Sequence, residues 1–484
     1  MNYTTPDTLY LCIDQGGHAS RAIVFNNKGE MVSSAYCEIE TFRPESHYVE
    51  LNANELVTSI TNAVAQAVEQ LGDKKHKLVS AGLATQRSNI ACWNKETGEA
   101  LSPVISWQDR RNNEWLQKLQ KQNADIHKIT GLFMSPHYGA SKLRWCIDNI
   151  PAVKAALVNN TLAFGPMSSF LTYHLVNEKS LLVDPVNASR TQLWNLRKHQ
   201  WDNELLKLFD IPVTALPLSV TSTYDYGEIS VADINIPLRI VTGDQSAAMY
   251  AYGHLQVDTA YVNTGTGAFL SRTSGPLQLY SRRLLTSLIF QEEINNKTQN
   301  NYVLEGTVNG AGSAIEWLGK QYPDTHIFEH LSQWLTEVET PPLFLNGISG
   351  LAAPFWQSDF KSHFSREASV NEKAVAVIES IVFLLKANLD EMCKLSSPPE
   401  QIQITGGFAS QNGLNQRLAD ISGLPVYRPT ECEATARGTA YLLAEQPSHW
   451  PEQDAGEWFD PQDNPELQKR YNEWMKSMLE SMRN

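Results

Sequence analysis

The chain has 484 residues, 42% hydrophobic and 19% charged, with 39 Lys and Arg against 53 Asp and Glu for a formal net charge of −14. That length calls for two or three domains with sizeable cores, and the acidic balance excludes a general nucleic-acid binder, although one local site can oppose the global sign. No apolar run reaches the roughly 18 residues a bilayer span needs, and the polar start at residues 1–7 does not read as a secretory signal.

The first elements read as a hairpin. Residues 8–13 and 21–25 are apolar strands joined by the turn Asp14-Gln15-Gly16-Gly17-His18-Ala19-Ser20, and Asn27-Lys28-Gly29 turns the chain into a third strand at 31–36. Leu56, Ile60, Val64 and Val68 recur at i, i+4, which predicts a helix from Ala53 to about Leu71. A short strand over 77–84 then ends at Gln86-Arg87. Polar residues at strand ends are where sites in α/β sheets lie.

Residues 101–235 carry many aromatics and helical patches. A second unit of similar form begins near 236: a strand over 237–242, then Gly243-Asp244-Gln245, then a small-residue helix over 246–252. Strands at 260–262 and 268–271 flank the turn Asn263-Thr264-Gly265-Thr266-Gly267, a hairpin like the one at Gly16 and Gly17. The two halves therefore suggest a weak internal duplication, with domains at 1–235 and 236–484. A helix near Glu372 restarts the α/β pattern, a buried strand at 402–405 runs into Gly406-Gly407, and a helix follows over 413–421. After a polar, Pro-containing stretch at 447–463, a final helix over 465–482 places Leu467, Tyr471, Trp474 and Leu479 on one face.

The six cysteines, Cys12, Cys37, Cys92, Cys146, Cys393 and Cys432, are scattered without a C-x-x-C pair. They read as free thiols of a reducing compartment, so a cytoplasmic location is expected.

Asp14 before Gly16-Gly17 is the first chemical signal: Gly allows close backbone approach to phosphate, and an Asp at a strand end suits Mg²⁺, which prefers oxygen ligands. The ordinary alternative is a plain β-turn. Thr264–Gly267 and Gly406-Gly407 are further Gly-rich strand ends, the latter ahead of a helix N-terminus that can face an anion. No G-x-x-x-x-G-K-[ST] string occurs, which excludes a P-loop. Asp244 at a strand end suits a general base with Gln245 orienting a substrate, or else a simple helix cap. Arg87 and Trp107 suit a polar ligand with one C–H face, or, taken singly, a surface ion pair or core filling. His326-Ile327-Phe328-Glu329-His330 matches H-x-x-E-H, but Pro323-Asp324-Thr325 looks like a helix start, and a solvated helix is the better reading.

In order along the chain, Asp14-Gln15-Gly16, Thr85-Gln86-Arg87, Trp107-Gln108 with Arg110-Arg111, Ser141–Trp145, Asp184 with Asn187–Thr191, Gly243-Asp244-Gln245, Gly265-Thr266-Gly267 with Phe269, Leu304-Glu305-Gly306 and Gly406-Gly407 resemble the FGGY carbohydrate kinases, most closely their glycerol kinase branch. The resemblance implies an α/β chain of two ribonuclease-H-like (actin-type ATPase) domains flanking a catalytic cleft that takes MgATP and a small polyol or sugar. It also implies a homo-oligomer, a dimer or tetramer, with no nucleic-acid or membrane partner. Carried over, Asp244 is the general base and Asp14 lies near Mg²⁺. Arg87, Ser88, Trp107, His137, Asp244, Gln245 and Phe269 meet the substrate. Gly16, Gly17, His18, Gly265, Thr266, Gly312, Gly407 and Gln411 meet ATP.

The sequence departs from that branch in places. Gly17-His18 stands where the branch has Thr-Thr, Ser88 where it has Glu, His137 (with Tyr138 next) where it has Tyr, and Gln411 where it has Asn. The departures imply a substrate pocket that has lost a carboxylate and changed an aromatic. The alternative is a catalytically weak sugar-binding or regulatory protein that keeps the fold.

Overall fold

The computed structural model describes residues 8–430, 433–448, 450 and 455–483. Residues 1–7, Cys432 and part of the 447–463 stretch lie outside them; the other five cysteines are free thiols. The chain divides into two compact units, one of Met1–Leu255, Ser287–Tyr302 and Cys432–Pro451, the other of Gln256–Thr286, Val303–Glu431 and Glu452–Asn484.

In the first unit, β1 (Leu9–Gln15), β2 (Ala19–Asn26) and β3 (Met31–Glu38) pair antiparallel in succession. β1 runs two residues past its expected end and β2 begins two residues before its expected start, because the ladder continues to the turn. Helix α1 (Ala53–Glu69) starts where the Asn52 side chain accepts the N–H of Asn54 and Glu55, and it buries Leu56, Ile60, Val64 and Val68. Strand β4 (Leu78–Thr85) lies parallel to β1. Strands β5 (Glu228–Val231) and β6 (Ile234–Gly243) complete the sheet in the order β5-β6-β4-β1-β2-β3.

Strand β6 is the element the sequence assigned to the opening of the second half. It pairs parallel with β4, and its Ile236, Leu238 and Val241 share one buried core with Leu11, Ile13 and Leu83. A strand with an apolar face and a fully buried end, as here from Ile240 to Gly243, is drawn into whichever sheet offers it a parallel neighbour, and periodicity alone does not name that neighbour. Three further helices of this unit position the site: α2 (Gly139–Asn149), α3 (Pro185–Ser189) and α4 (Asp244–Met249). The helix Ala434–Leu443 packs on α4 so closely that a Cβ on Gly438 would lie 1.8 Å from the carbonyl oxygen of Ala247.

In the second unit, β7 (Thr259–Thr264) and β8 (Ala268–Gly275) form the second hairpin. Strands β9 (Gln401–Thr405), β10 (Val426–Arg428) and β11 (Glu457–Phe459) extend it in the order β8-β7-β9-β10-β11, with β9 parallel to β7 and β10 parallel to β9. The order β6-β4-β1-β2 of the first sheet is thus repeated as β10-β9-β7-β8. The duplication is topological, and its second copy begins at β7.

Helix α5 (Gly312–Gln321) precedes α6 (Ile327–Glu337), α7 (Val370–Cys393), α8 (Asn412–Ser422) and α9 (Pro465–Ser481). Ser369 and Glu372 form a reciprocal cap on α7. On α9, Leu467, Tyr471, Trp474 and Met478 are buried, whereas Leu479 is 42% exposed. Met478 lies at i+4 from Trp474 and takes the face expected of Leu479. His326 caps α6 in a left-handed conformation and His330 stacks on Trp334, in keeping with an ordinary surface helix.

Candidate active site

In the first unit the ends of β1, β4 and β6 are in register: Asp14 lies opposite Ala84, which lies opposite Thr242. Asp14 closes β1 and Asp244 follows β6, so two carboxylates flank the end of β4, with two strand spacings of roughly 4.8 Å between their strands. Asp14 is only 6% exposed, and Arg21 Nη1 donates to its Oδ2 at 3.4 Å. Burial and the neighbouring negative charge of Asp244 push its carboxyl up to about 7, against the pull of Arg21. Burial likewise raises the Asp244 carboxyl, while Arg87, the Gln245 N–H and Arg190 oppose the rise. That N–H donates to Asp244 Oδ1 at 2.7 Å. Arg87 Nη2 donates to Gln245 Oε1. A Cβ on Gly243 would come within 2.6 Å of the Arg87 stem, so glycine is what lets Arg87 cross the chain just before Asp244.

The turn after Asp14 is stiff on one side and open on the other. Gly16 N–H is spent on the carbonyl of Ala19 at 3.1 Å. The N–H groups of Gly17 and His18 have no acceptor among the described residues, which leaves two donors for an anion. A Cβ on Gly17 would sit 2.8 Å from Gln86 Nε2, and His18 is exposed. A buried carboxylate whose other oxygen is not engaged by Arg21 fits a hard cation such as Mg²⁺, which needs only one or two protein carboxylates.

Next to this turn the chain builds a second cluster. Ser88 follows Arg87 in a left-handed conformation (φ 67°), is 3% exposed, and its Oγ has no hydrogen-bond partner among the described residues. Lys142 on α2 is fully buried, and its Nζ donates to the carbonyls of Ser88 (3.2 Å) and His137 (2.7 Å). The His137 and Trp107 rings lie 5.3 Å apart. Burial, and then the positive charges of Lys142, Arg110, Arg190 and Arg87, hold the His137 imidazole well below its usual pKa.

Asn89 Oδ1 accepts the Trp107 N–H at 2.7 Å, and its Nδ2 donates to Gln86 Oε1 at 3.1 Å, tying this wall to the end of β4. Beyond Trp107, Arg111 bonds Asp109 through Nε and Nη2 at 2.8–3.0 Å and sits between the Tyr48 and Trp145 rings at 4.0 and 4.5 Å. The start of α2 is docked on the segment after α3, since Ala140 N–H donates to the Thr191 carbonyl at 2.7 Å. The sequence brought Arg87, Ser88, Trp107, His137, Asp244 and Gln245 forward, and the first unit holds all six. It gave no role to Arg21, Asn89, Lys142 or Arg190. Lys142 had one signal, a lysine between Ala140 and Leu143 on a helix whose neighbours are apolar.

In the second unit the turn Gly265-Thr266-Gly267 closes with Gly265 N–H on the Gly267 carbonyl at 2.8 Å. Gly312 N–H donates to the Gly265 carbonyl at 2.9 Å, and a Cβ there would meet that oxygen at 2.7 Å. Gly406, at φ 92°, lies so close to Thr264 that a Cβ would approach its carbonyl oxygen to 2.3 Å. Gly407 faces open space. Gln411 stands at the start of α8 and its Oε1 accepts from Ser332 Oγ at 3.0 Å. Phe269 pairs across the hairpin with Asn263. Gly265, Thr266, Gly312 and Gly407 therefore come together around one uncharged, glycine-lined surface.

Among the described residues no helix is long and apolar enough to cross a membrane. Residues 9–250 match the N-terminal domain, and residues 260–445 the C-terminal domain, of the FGGY family of carbohydrate kinases. Glycerol kinase of Shewanella frigidimarina is 32% identical over 457 residues, covering 92% of this chain and 90% of that protein. Glycerol kinase of Acinetobacter baylyi is 31% identical over 493 residues, covering 98% and 99%. Among solved structures, Plasmodium falciparum glycerol kinase with ADP superimposes with a TM-score of 0.87 at 23% identity, covering 98% of both chains. Xylulose kinase of Rhodospirillum rubrum gives 0.84 at 16%, covering 97% of both, a likeness of fold alone. With its two α/β units of actin-type ATPase fold, this chain belongs to the FGGY family of carbohydrate kinases.

Proposed function

We propose that this kinase transfers the γ-phosphoryl group of ATP to a hydroxyl of a small polyol or sugar, with Asp244 as the general base. The observation that carries the reading is the Asp244 carboxylate, half-buried at the end of β6 with its pKa raised by burial and Arg87 packed across Gly243 beside it. A raised pKa makes a carboxylate a better proton acceptor, and Arg87 and Gln245 would fix the hydroxyl that loses the proton. As the acceptor oxygen bonds to the γ-phosphorus, the bond to the β-phosphate oxygen breaks, the proton passes to Asp244, and ADP leaves.

Mg²⁺, when bound, neutralises phosphate charge, and Asp14 would hold it. The free N–H groups of Gly17 and His18 suit phosphate oxygens, and the glycine surface at Gly265, Gly312 and Gly407 suits the nucleotide. The relatives named glycerol kinase support a polyol acceptor. Such an acceptor would meet Ser88, Trp107 and His137 of the first unit.

The test is ATP turnover by the full chain over a panel of polyols, ketoses and aldoses, each with a no-acceptor control. Acceptor-dependent ADP release with at least one of them is expected. ATP hydrolysis that no acceptor stimulates would contradict the reading.

A further inference from the structure

Gln86 follows the last residue of β4, and its N–H donates to the Gln15 carbonyl at 3.1 Å, which brings it beside the turn after Asp14. Its half-buried side chain folds over Gly17: a Cβ there would meet Nε2 at 2.8 Å, Oε1 at 3.3 Å and Cδ at 3.4 Å. A side chain at residue 17 and this amide therefore exclude each other. Gly17 stands where the glycerol kinase branch has a hydroxyl-bearing Thr, and in this chain an amide fills that side of the turn.

The hydrogen bonds fix which end of the amide faces the turn. Asn89 is fully buried, and its Oδ1 accepts the backbone N–H of Trp107 at 2.7 Å. A backbone N–H can only donate, so the other end of the Asn89 amide is Nδ2. That nitrogen donates to Gln86 Oε1 at 3.1 Å, with Met167 Sδ as a weaker neighbour at 3.7 Å. Gln86 Oε1 is thereby spent, and Nε2 lies over Gly17 with no acceptor among the described residues. The open N–H groups of Gly17 and His18 belong to the same turn. Donors gathered on one turn without acceptors suit an oxyanion.

We propose that Gln86 is a phosphate-binding residue of this kinase, its Nε2 donating to an oxygen of the γ-phosphoryl group above Gly17, and that Asn89 is the positioning residue that holds the amide in that orientation. The amide takes over the donor that a Thr at residue 17 would bring. The inference rests on the kinase reading above and adds a phosphate contact to it.

Full-chain variants are compared by affinity for a non-hydrolysable ATP analogue (adenylyl imidodiphosphate) with Mg²⁺, by affinity for ADP, and by turnover of the best acceptor. Gln86→Met keeps the volume and loses the donor. It should weaken the analogue about tenfold, as for one hydrogen bond to a charged group, and lower kcat in step. Gln86→Glu keeps the bond from Asn89 but turns an oxygen toward the phosphate, and should lose more, about a hundredfold. A residue that only braced Trp107 would give the reverse order, because Glu keeps that brace and Met breaks it. Asn89→Asp should turn the amide round and match Gln86→Met. In the double variant it should add less than about twofold, since no amide is left to turn. Affinity for ADP, which lacks the γ-phosphoryl group, should stay within about twofold throughout, and urea unfolding reports the fold of each variant.

A larger loss for Met than for Glu, an equal loss of ADP affinity, or changes under about twofold in both Gln86 variants would overturn the inference and keep the kinase reading. Additive losses in the double variant would overturn the role of Asn89. The expected order in analogue affinity, from a chain that turns over no acceptor, would sink the kinase reading and keep the phosphate contact.

Discussion

The two hairpins stand at equivalent places in their sheets, yet they are furnished differently. In the first, Asp14 faces Arg21 across the ladder and the turn runs Gly16-Gly17-His18-Ala19. In the second, Asn263 faces Phe269, and the turn Gly265-Thr266-Gly267 is one residue shorter in register. Asp14 is a buried carboxyl with its pKa displaced to about 7; Asn263 is exposed and donates to Thr405 Oγ1 at 3.2 Å. The same contrast recurs one strand over, where β4 ends in Gln86-Arg87 and β9 in Gly406-Gly407. Topology supplies two sites of the same form, and the residues at the strand ends decide that one handles charge while the other offers bare backbone.

Removing the charge should therefore be felt most. Asp14→Asn is expected to lower kcat by about 10²- to 10³-fold, as for other losses of electrostatic stabilisation of a transferring phosphoryl group. The same variant should be more stable than the parent without metal at pH 8. A carboxyl raised from 3.8 to about 7 destabilises the fold as pH climbs through that window, by up to about 4 kcal/mol, and the penalty vanishes below pH 4. Urea unfolding of both proteins at pH 5 and pH 8, with chelator, reads this directly. An equal gap at both pH values would contradict the burial argument.

Removing bare backbone should break the other turn. Gly406→Ala combines a positive φ with a Cβ 2.3 Å from the Thr264 carbonyl oxygen, and is expected to cost about 3 kcal/mol in urea unfolding. Gly16→Ala, whose Cβ would stand 3.2 Å from the Ala19 carbonyl oxygen at an ordinary φ, should cost under about 1 kcal/mol. Equal costs would mean that both turns depend on glycine alike.

Much of this was legible in the sequence, and the exceptions have physical reasons. The strand–Gly–strand signature at Asp14, the i, i+4 face of α1 and the end of β6 at Gly243-Asp244 are local patterns, and local patterns are what periodicity and turn chemistry reveal. The partner of β6 is a long-range choice between two cores, so the strand that carries Asp244 was grouped with the wrong neighbours. Lys142 stood within the Ser141–Trp145 motif but received no role, because a lysine on an amphipathic helix is ordinarily solvated, and only the fold shows it reaching the carbonyls of Ser88 and His137. Strand β11 was hidden in a polar stretch because a three-residue edge strand needs no apolar alternation.

Two smaller effects sharpen the contrast between the turns. Asn263→Asp places a carboxylate where the second turn has none. Repulsion from nucleotide phosphates should raise KM for ATP about tenfold with little change in kcat, which initial rates at varied ATP would show. His18→Thr changes an exposed turn residue and should leave KM for ATP within about twofold, in the range of surface substitutions. A loss of tenfold or more there would make His18 a phosphate contact in its own right.

The central claim is that proton removal belongs to the charged strand end of the first unit and nucleotide binding to the neutral one of the second. Single-turnover phosphoryl transfer by Asp244→Asn with the best acceptor, measured beside the Kd for ADP, tests it most directly. The account predicts a rate about 10²-fold lower or less, with an unchanged Kd, because the amide keeps the shape and loses the basicity. A near-normal rate, or a matching loss of ADP affinity, would contradict it.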